Sequence, residues 1–506
     1  MPFVWGEVTG MVHLLKLLPG VMLERRSRNG RYSDPNELTE KVIIHLPQSS
    51  SLGRLCLYAP FVRTLEVLEL PHRFYKIEGN LSALHSTIPK SGLLPNLRYL
   101  TLTDTGETVN QDHVDWISLF LCRTLRSVRV LSWYPSRRLW LPLDQFPSAL
   151  SEIIQKCSNL EVLEVSPRST ISQREPGVYI PPEGSRESRQ LGSFTVPHWC
   201  SPSSSSCFQT LRQLTGSTSF LQPGVFSFIG SLPALESLIL HDSVPAASRT
   251  SLGLGPDITF PALKHLELHH LDARLTMHLC GLKQLVGSLT SAKIRFPFFQ
   301  KGEWNIIQCD PPQVVLSALS LFAPHLEDLA IHLPSGSHKI SLSHSTIEAF
   351  RRLSLRSLMF SDVCLAPDVG WSDVLAALPK VEVLRLRCSL KCQDLEEFSQ
   401  RLPRLRHLEV QAIDFKAAEV SREGNYPPKT VPNGTPLCLA SGLYIHDLEN
   451  YNVLDRVARY LSRMWLRIMC VSREWETPAN IRSIDALNDR MSTLQGIKCG
   501  TGHLMN

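Results

Sequence analysis

Apolar positions along this 506-residue chain keep returning to one phrase, a short run with apolar residues first, fourth and sixth. Its clear copies are Leu97/Leu100/Leu102, Leu160/Leu163/Val165, Leu235/Leu238/Leu240, Leu263/Leu266/Leu268, Leu326/Leu329/Ile331, Val381/Leu384/Leu386 and Leu405/Leu408/Val410. Weaker copies are Leu65/Leu68/Leu70, Leu125/Val128/Val130, Leu289/Ala292/Ile294 and Leu355/Leu358/Phe360. Most stand about 24 to 37 residues apart. Pro95, Pro233, Pro261, Pro324, Pro379 and Pro403 each lie two residues before the first apolar position. Proline lacks a backbone donor and cannot continue a helix, so it suits the point where a helix ends and a strand begins. Segments 112–121 and 146–155 have the periodicity of helices between such strands.

Self-similarity of this form predicts an α/β leucine-rich repeat solenoid, with a curved parallel sheet on the concave side and helices on the convex side. Residues 1–39 are expected to form an N-terminal helical cap and linker, with a short helix ending near Pro19-Gly20. The repeats are expected over 40–475 and a C-terminal cap and tail over 476–506. Two Ser- and Pro-rich stretches, 166–209 and 414–436, read as insertions. The phrases Leu52/Leu55/Leu57 and Leu65/Leu68/Leu70 lie too close together for two full repeats; they predict either a strand pair with a tight turn or one irregular unit. Near the C-terminus, 450–463 predicts a helix, and Leu466/Met469/Val471 a last strand.

Side chains alternate across a strand, so the residues between and just after the phrase positions face the concave surface. This rule nominates a protein-binding row: Tyr99, Arg129, Glu164, His241, His265, Glu267, His269, Lys293, Arg295, Asp328, His332, Arg385, Arg387, His407 and Glu409. Its basic points, Lys293/Arg295 and Arg385/Arg387, suit a partly acidic protein. His265, Glu267 and His269 share one strand face, but same-face neighbours sit about 6.5–7 Å apart, too wide for one strand to close around zinc. No metal or other cofactor is expected.

Charge and composition narrow the picture further. A net charge of +5 over this length gives no basic stripe of the kind that binds nucleic acid. No stretch is long and uncharged enough to span a bilayer. The 13 cysteines contain no C-x-x-C pair and favour a reducing compartment, cytosol or nucleus. No phosphate-binding glycine loop and no nucleophile elbow occurs, so catalysis is not expected.

The phrases Pro2-Phe-Val-Trp-Gly-Glu-Val8, His13-Leu-Leu-Lys-Leu-Leu-Pro19 and Cys157-Ser-Asn-Leu-Glu-Val-Leu-Glu-Val165 resemble those of the F-box and leucine-rich-repeat proteins of mushroom-forming fungi. The resemblance implies a substrate receptor of an SCF-type ubiquitin ligase. In that family the F-box precedes this region and holds a Skp-type adaptor and, through it, a cullin, while the repeats hold the protein substrate. Two features depart from the pattern. The F-box would lie before Val4, and the regular Asn three residues beyond the sixth position is replaced by Thr105, Ser243, Leu271, Ser389 and Ile413. Segment 457–475 resembles the second half of an F-box, but it also fits a last helix and strand, the reading favoured here. The 506-residue chain is therefore expected to bind purified Skp-type adaptor weakly or not at all in a pull-down. Robust binding that disappears on deleting 450–506, with the repeats still folded, would reverse that reading.

Overall fold

The computed structural model describes residues 5–27, 40–46, 52–67, 73–78, 81–89, 91–104, 117–132, 141–142, 146–165, 167–168, 208–241, 259–297, 310–334, 339–415, 434–445, 451–465, 467–471 and 478–495. It is α/β, with a large parallel sheet of 15 strands. The chain divides into two compact units, Met1–Leu263 and Lys264–Asn506.

In the first unit the sheet strands are β1 (Glu7–Thr9), β2 (Thr64–Glu66), β3 (Tyr99–Asp104), β4 (Ser127–Ser132), β5 (Val162–Glu164), β6 (Gln213–Ser217) and β7 (Ser237–His241). They pair in that order, all parallel. In the second unit they are β8 (His265–His269), β9 (Ser291–Arg295), β10 (Asp328–His332), β11 (Ser357–Phe360), β12 (Val383–Lys391), β13 (His407–Phe415), β14 (Leu437–Ile445) and β15 (Ile468–Val471). These too pair in order and in parallel.

The phrase explains the strands. Leu97, Leu100 and Leu102 are buried, as are Leu263, Leu266 and Leu268, and the other clear copies behave alike. Each buried leucine is worth roughly 2 kcal/mol by removal from water, and neighbouring repeats share the benefit because fourth positions stack on fourth positions, as in Leu266↔Ala292 and Leu358↔Leu384. Register is set one residue after the first apolar position. There the amide of one repeat donates to the equivalent carbonyl of the repeat before it: Arg126 N to Arg98 O at 2.8 Å, Glu161 N to Arg126 O at 2.7 Å, Arg356 N to Glu327 O at 2.8 Å and Glu382 N to Arg356 O at 2.7 Å.

Between strands, helices cover the buried side. Phe146–Lys156 (α1) agrees with the periodicity, and Ala273–Cys280 (α2) is capped by Asp272, whose carboxylate accepts from Arg274 N at 2.9 Å. The Asn expected beyond the sixth position has a substitute at the other end of the strand. Asn96, Thr124, Asn159 and Thr210 stand immediately before the first apolar residue and donate to backbone carbonyls of the preceding repeat, at 2.7 Å to Pro60, 2.8 Å to Pro95, 3.3 Å to Arg123 and 2.9 Å to Leu160. These bonds satisfy carbonyls at the turn into the strand.

Several elements differ from the sequence expectation. Residues 1–39 are not only a helical cap: Glu7–Thr9 forms β1, and Met22–Ser27 pairs antiparallel with Glu40–His45, which pairs in parallel with Arg73–Glu78. The Leu52/Leu55/Leu57 phrase is a helix, Gly53–Tyr58, in which Leu55 is buried and Leu57 exposed. Leu65 occupies the fourth position, in register with Leu100, so the phrase reads Val62/Leu65/Val67, all fully buried; Leu68 and Leu70 lie outside the described residues. In β6 the sixth position is Gly216, where an added Cβ would collide with the Phe220 ring, and that ring fills the place of the missing apolar side chain. Asp414 and Phe415 belong to β13, so the second insertion starts later than expected, while most of 166–209 and 416–433 lies outside the described residues.

Strand β14 had no phrase to announce it, and β15 runs one residue out of the expected register. Leu439 pairs with Cys470, so Ile468 and Cys470 are buried while Met469 and Val471 are 47% and 37% exposed. Segment 457–475 thus contributes the end of helix α3 (Tyr451–Met464) and then β15. Helix α4 (Pro478–Leu494) covers that last strand: Asn488 accepts from Cys470 N at 2.8 Å and donates to Cys470 O at 2.7 Å. An edge strand whose free backbone groups are occupied in this way cannot recruit another chain there. Asp455 ties the two helices, accepting from Arg459 at 2.7 Å and from Arg490.

Cys470→Asp places a charge in the core and is expected to destabilise by roughly 3 kcal/mol or more, whereas Met469→Asp should stay within about 0.5 kcal/mol. Urea denaturation of the two variants measures this, and the reverse order would restore the register expected from the sequence.

Candidate functional site

With the first, fourth and sixth positions committed to the core, the third, fifth and seventh face the open side of the sheet. In the first unit this side carries Tyr99 and Arg129, both exposed, half-buried Glu164, and His241, which is only 2% exposed. Arg129 lies in register between Thr101 and Glu164.

The second unit brings most of the candidates together. The third positions of β8 to β13 are His265, Ser291, Asp328, Ser357, Val383 and His407. The fifth positions are Glu267, Lys293, Ala330, Met359, Arg385 and Glu409. Parallel register aligns each set as a row across the strands, with neighbours about 4.8 Å apart. The seventh positions begin His269, Arg295 and His332.

Charges in the fifth row pair towards its two ends. Lys293 Nζ donates to Glu267 Oε2 at 3.1 Å, and Arg385 Nε lies 3.5 Å from Glu409 Oε2. His269 Nε2 also donates to Glu267, at 2.8 Å. That bond, reinforced by Lys293, lowers the Glu267 carboxyl to about 2. His269 was expected to be exposed, but it is 6% exposed. The chain turns away directly after it, at His270, whose φ is 57° and whose amide donates to Arg295 O at 2.6 Å.

Beside this pair, burial and then the Arg295 and Lys293 charges push His332 down to about 4, so its ring is neutral at pH 7. His332 Nε2 is buried and has no hydrogen-bond partner among the described residues. His407 is lowered by burial and by Arg385, and Asp328 is raised by burial and by Glu327. His265, Asp328, Arg295, Arg385 and Arg387 are exposed, and Lys293, His332, His407 and Glu409 half-buried.

A second row escaped sequence reading. The residues whose amides set the register also carry charge, and their side chains pair from repeat to repeat: Arg126 with Glu161 at 3.4 Å, Arg212 with Glu236 at 3.7 Å, and Arg356 with both Glu327 at 3.7 Å and Glu382 at 2.7 Å. The alternation of Arg and Glu at one phrase position is visible in the sequence once the repeats are stacked. Ala330 and Met359 share the open face through their fifth position in the phrase, a signal that polarity alone does not carry.

Chemically, these groups can bind and neutralise charge. Among the described residues no group of three His, Cys, Asp or Glu is placed to hold a metal ion, and no helix is long and apolar enough to cross a membrane. Burial pushes the thiols of Cys280, Cys388 and Cys470 up to about 12, which keeps them as unreactive core residues. Comparison with protein-family profiles and with curated proteins returns no match for this chain.

Two pH windows follow. Glu267 is lowered in the folded chain, so its contribution is complete above the ordinary value of 4.5 and is lost as pH falls towards about 2. His332 is also lowered, so protonation favours the unfolded chain as pH falls from 6.5 to about 4. Glu267→Gln should flatten the stability profile in the first window and His332→Gln in the second, as read by urea denaturation at stepped pH. A variant profile parallel to that of the unaltered chain in its own window would refute the corresponding assignment.

Proposed function

We propose that this chain is a non-catalytic protein-binding scaffold built of degenerate leucine-rich repeats, equivalent to the substrate-holding part of an F-box receptor of an SCF-type ubiquitin ligase. The observation that carries the reading is the division of labour within each strand. Leucine positions are spent on the core, and the intervening positions leave a row of charged and polar side chains on the open face of the sheet. A partner meeting that face gains salt bridges and hydrogen bonds without disturbing the repeats that hold it. The phrases at 2–8 and 13–19, together with Cys157-Ser-Asn-Leu-Glu-Val-Leu-Glu-Val165, favour the ubiquitin-ligase assignment over an unrelated repeat protein. The bound partner is a protein, and an adaptor and cullin join where an F-box accompanies the repeats.

Site-directed photo-cross-linking tests the reading. A benzoylphenylalanine probe at Ala330 or Met359, on the open face of the second unit, should capture the same protein in cells, and co-expressed ligase components should ubiquitinate it. A probe at Leu321, 61% exposed on the helix Pro311–Phe322, should not capture it. Capture from Leu321 alone would overturn the open-face assignment, and no capture from any position would favour a structural or decoy repeat protein.

A further inference from the structure

We infer that the leading edge of β2 and β3, at Arg63 and Arg98, docks an acidic helix of a protein partner, with carboxylates one helical turn apart. This rests on the protein-binding reading and adds a second surface, in the first unit, with a stated partner chemistry.

The row whose amides set the register changes character at this end. From β4 to β7 it reads Arg126, Glu161, Arg212, Glu236, base and acid in turn, and pairs as Arg126–Glu161 and Arg212–Glu236. Before that it reads Arg63, Arg98, Arg126, three bases on successive rungs: Arg98 N donates to Arg63 O at 2.7 Å and Arg126 N to Arg98 O at 2.8 Å. All three side chains are exposed. Among the described residues, Arg126 has Glu161, whereas Arg63 and Arg98 form neither an ion pair nor a side-chain hydrogen bond.

The carboxylates at this end of the sheet stand elsewhere. Glu7 lies opposite Thr64, one residue past Arg63, and forms no ion pair with it. Glu66 ends β2, Asp104 ends β3, and Glu164 lies in register with Arg129 further along the strands. Exposed Arg123, in the turn before β4, adds another base to the leading edge. Like charges side by side on neighbouring strands are unfavourable. Arg63 and Arg98 thus lack in the free chain the counter-charge that the later repeats supply internally, and an acidic partner provides it.

Apolar groups flank the two guanidinium groups. Phe61 is 44% exposed and Tyr99 47%, and Leu57 is exposed on the adjoining helix. Phe61 occupies the place that Asn96, Thr124 and Asn159 fill in the following repeats, and Asn96 fastens its turn to the next repeat by donating to Pro60 O at 2.7 Å. Arginine beside exposed aromatic side chains is the composition of a protein-binding hot spot. Spacing selects the form of the partner. Rungs are about 4.8 Å apart, and side chains one helical turn apart stand about 5–6 Å from each other. Same-side neighbours on an extended segment are about 6.5–7 Å apart, a poorer match.

The test is fluorescence anisotropy of the full chain with a labelled, hydrocarbon-stapled helical peptide carrying glutamates at i and i+4 and leucine at i+3. It is run at about 0.01 M salt, where charges act over ~30 Å. Binding is expected, and moving the second glutamate to i+2 should weaken it about fivefold, the scale of one well-placed exposed ion pair. Arg63→Ala and Arg98→Ala should each weaken it similarly, while Arg274→Ala, on helix α2, should not. Arg98→Glu should abolish binding and yet raise the urea midpoint, because it restores alternation between Arg63 and Arg126. A loss of binding caused by unfolding cannot show that combination. The double variant Arg63→Glu/Arg98→Glu should bind the peptide with both glutamates replaced by lysine. No binding, binding that survives Arg98→Glu, equal binding of the i+2 peptide, a lowered midpoint for Arg98→Glu, or tighter binding of a ten-nucleotide oligothymidine would each overturn the assignment. If cross-links from Ala330 and Met359 persist in that case, only this surface fails; if those are also absent, the scaffold reading fails with it.

Discussion

One backbone hydrogen bond per repeat, made by the residue after the first apolar position, governs the rest of this structure. Once Arg98, Arg126, Glu161, Arg212 and Glu236 donate in turn to the preceding repeat, every later residue of each strand has a fixed partner. Strand side chains alternate, so that register alone decides which of them are buried. It stacks Leu100 on Val128 and Val128 on Leu163, and on the other face it aligns Arg129 with Glu164. A slip of one residue would exchange the two sets, burying charge and exposing leucine.

The same register organises the electrostatics. Charged residues at equivalent phrase positions of adjacent repeats come close enough to pair, as in Arg356 between Glu327 and Glu382, and in Lys293 beside Glu267. Exposed pairs of this kind add little stability individually. Their effect on order is larger, because they hold side chains of adjacent strands in a defined row. The half-buried Glu267, held by His269 and Lys293, shows how an acid on the open face is kept ionised. The neutral His332 shows the opposite outcome, produced by burial among cations.

Much of the fold was legible because the apolar phrase is a direct record of burial. In the seven clear copies of the phrase, strand and face follow. Legibility failed where the phrase was imitated or incomplete. Leu52/Leu55/Leu57 has the spacing, but the chain is helical from Gly53 to Tyr58, which buries Leu55 and turns Leu57 to the outside. Gly216 interrupts the pattern and Phe220, four residues later, replaces it. At β15, Met469 is more apolar than its surroundings require, and it drew the reading one residue away from Ile468 and Cys470.

What the sequence by itself determined is the repeated strand, its inward and outward faces, and the list of side chains on the open face, because these depend on local alternation and on hydrophobic burial. Only the tertiary structure decided which of those side chains are neighbours. Parallel stacking converts positions about 26 residues apart into adjacent rungs about 4.8 Å apart, and pairing, burial and proton affinity are properties of those contacts. Thus His265, Glu267 and His269 were equivalent polar residues in the sequence. In the fold the first is exposed, the second is an ion-paired carboxylate and the third is a buried donor that secures it.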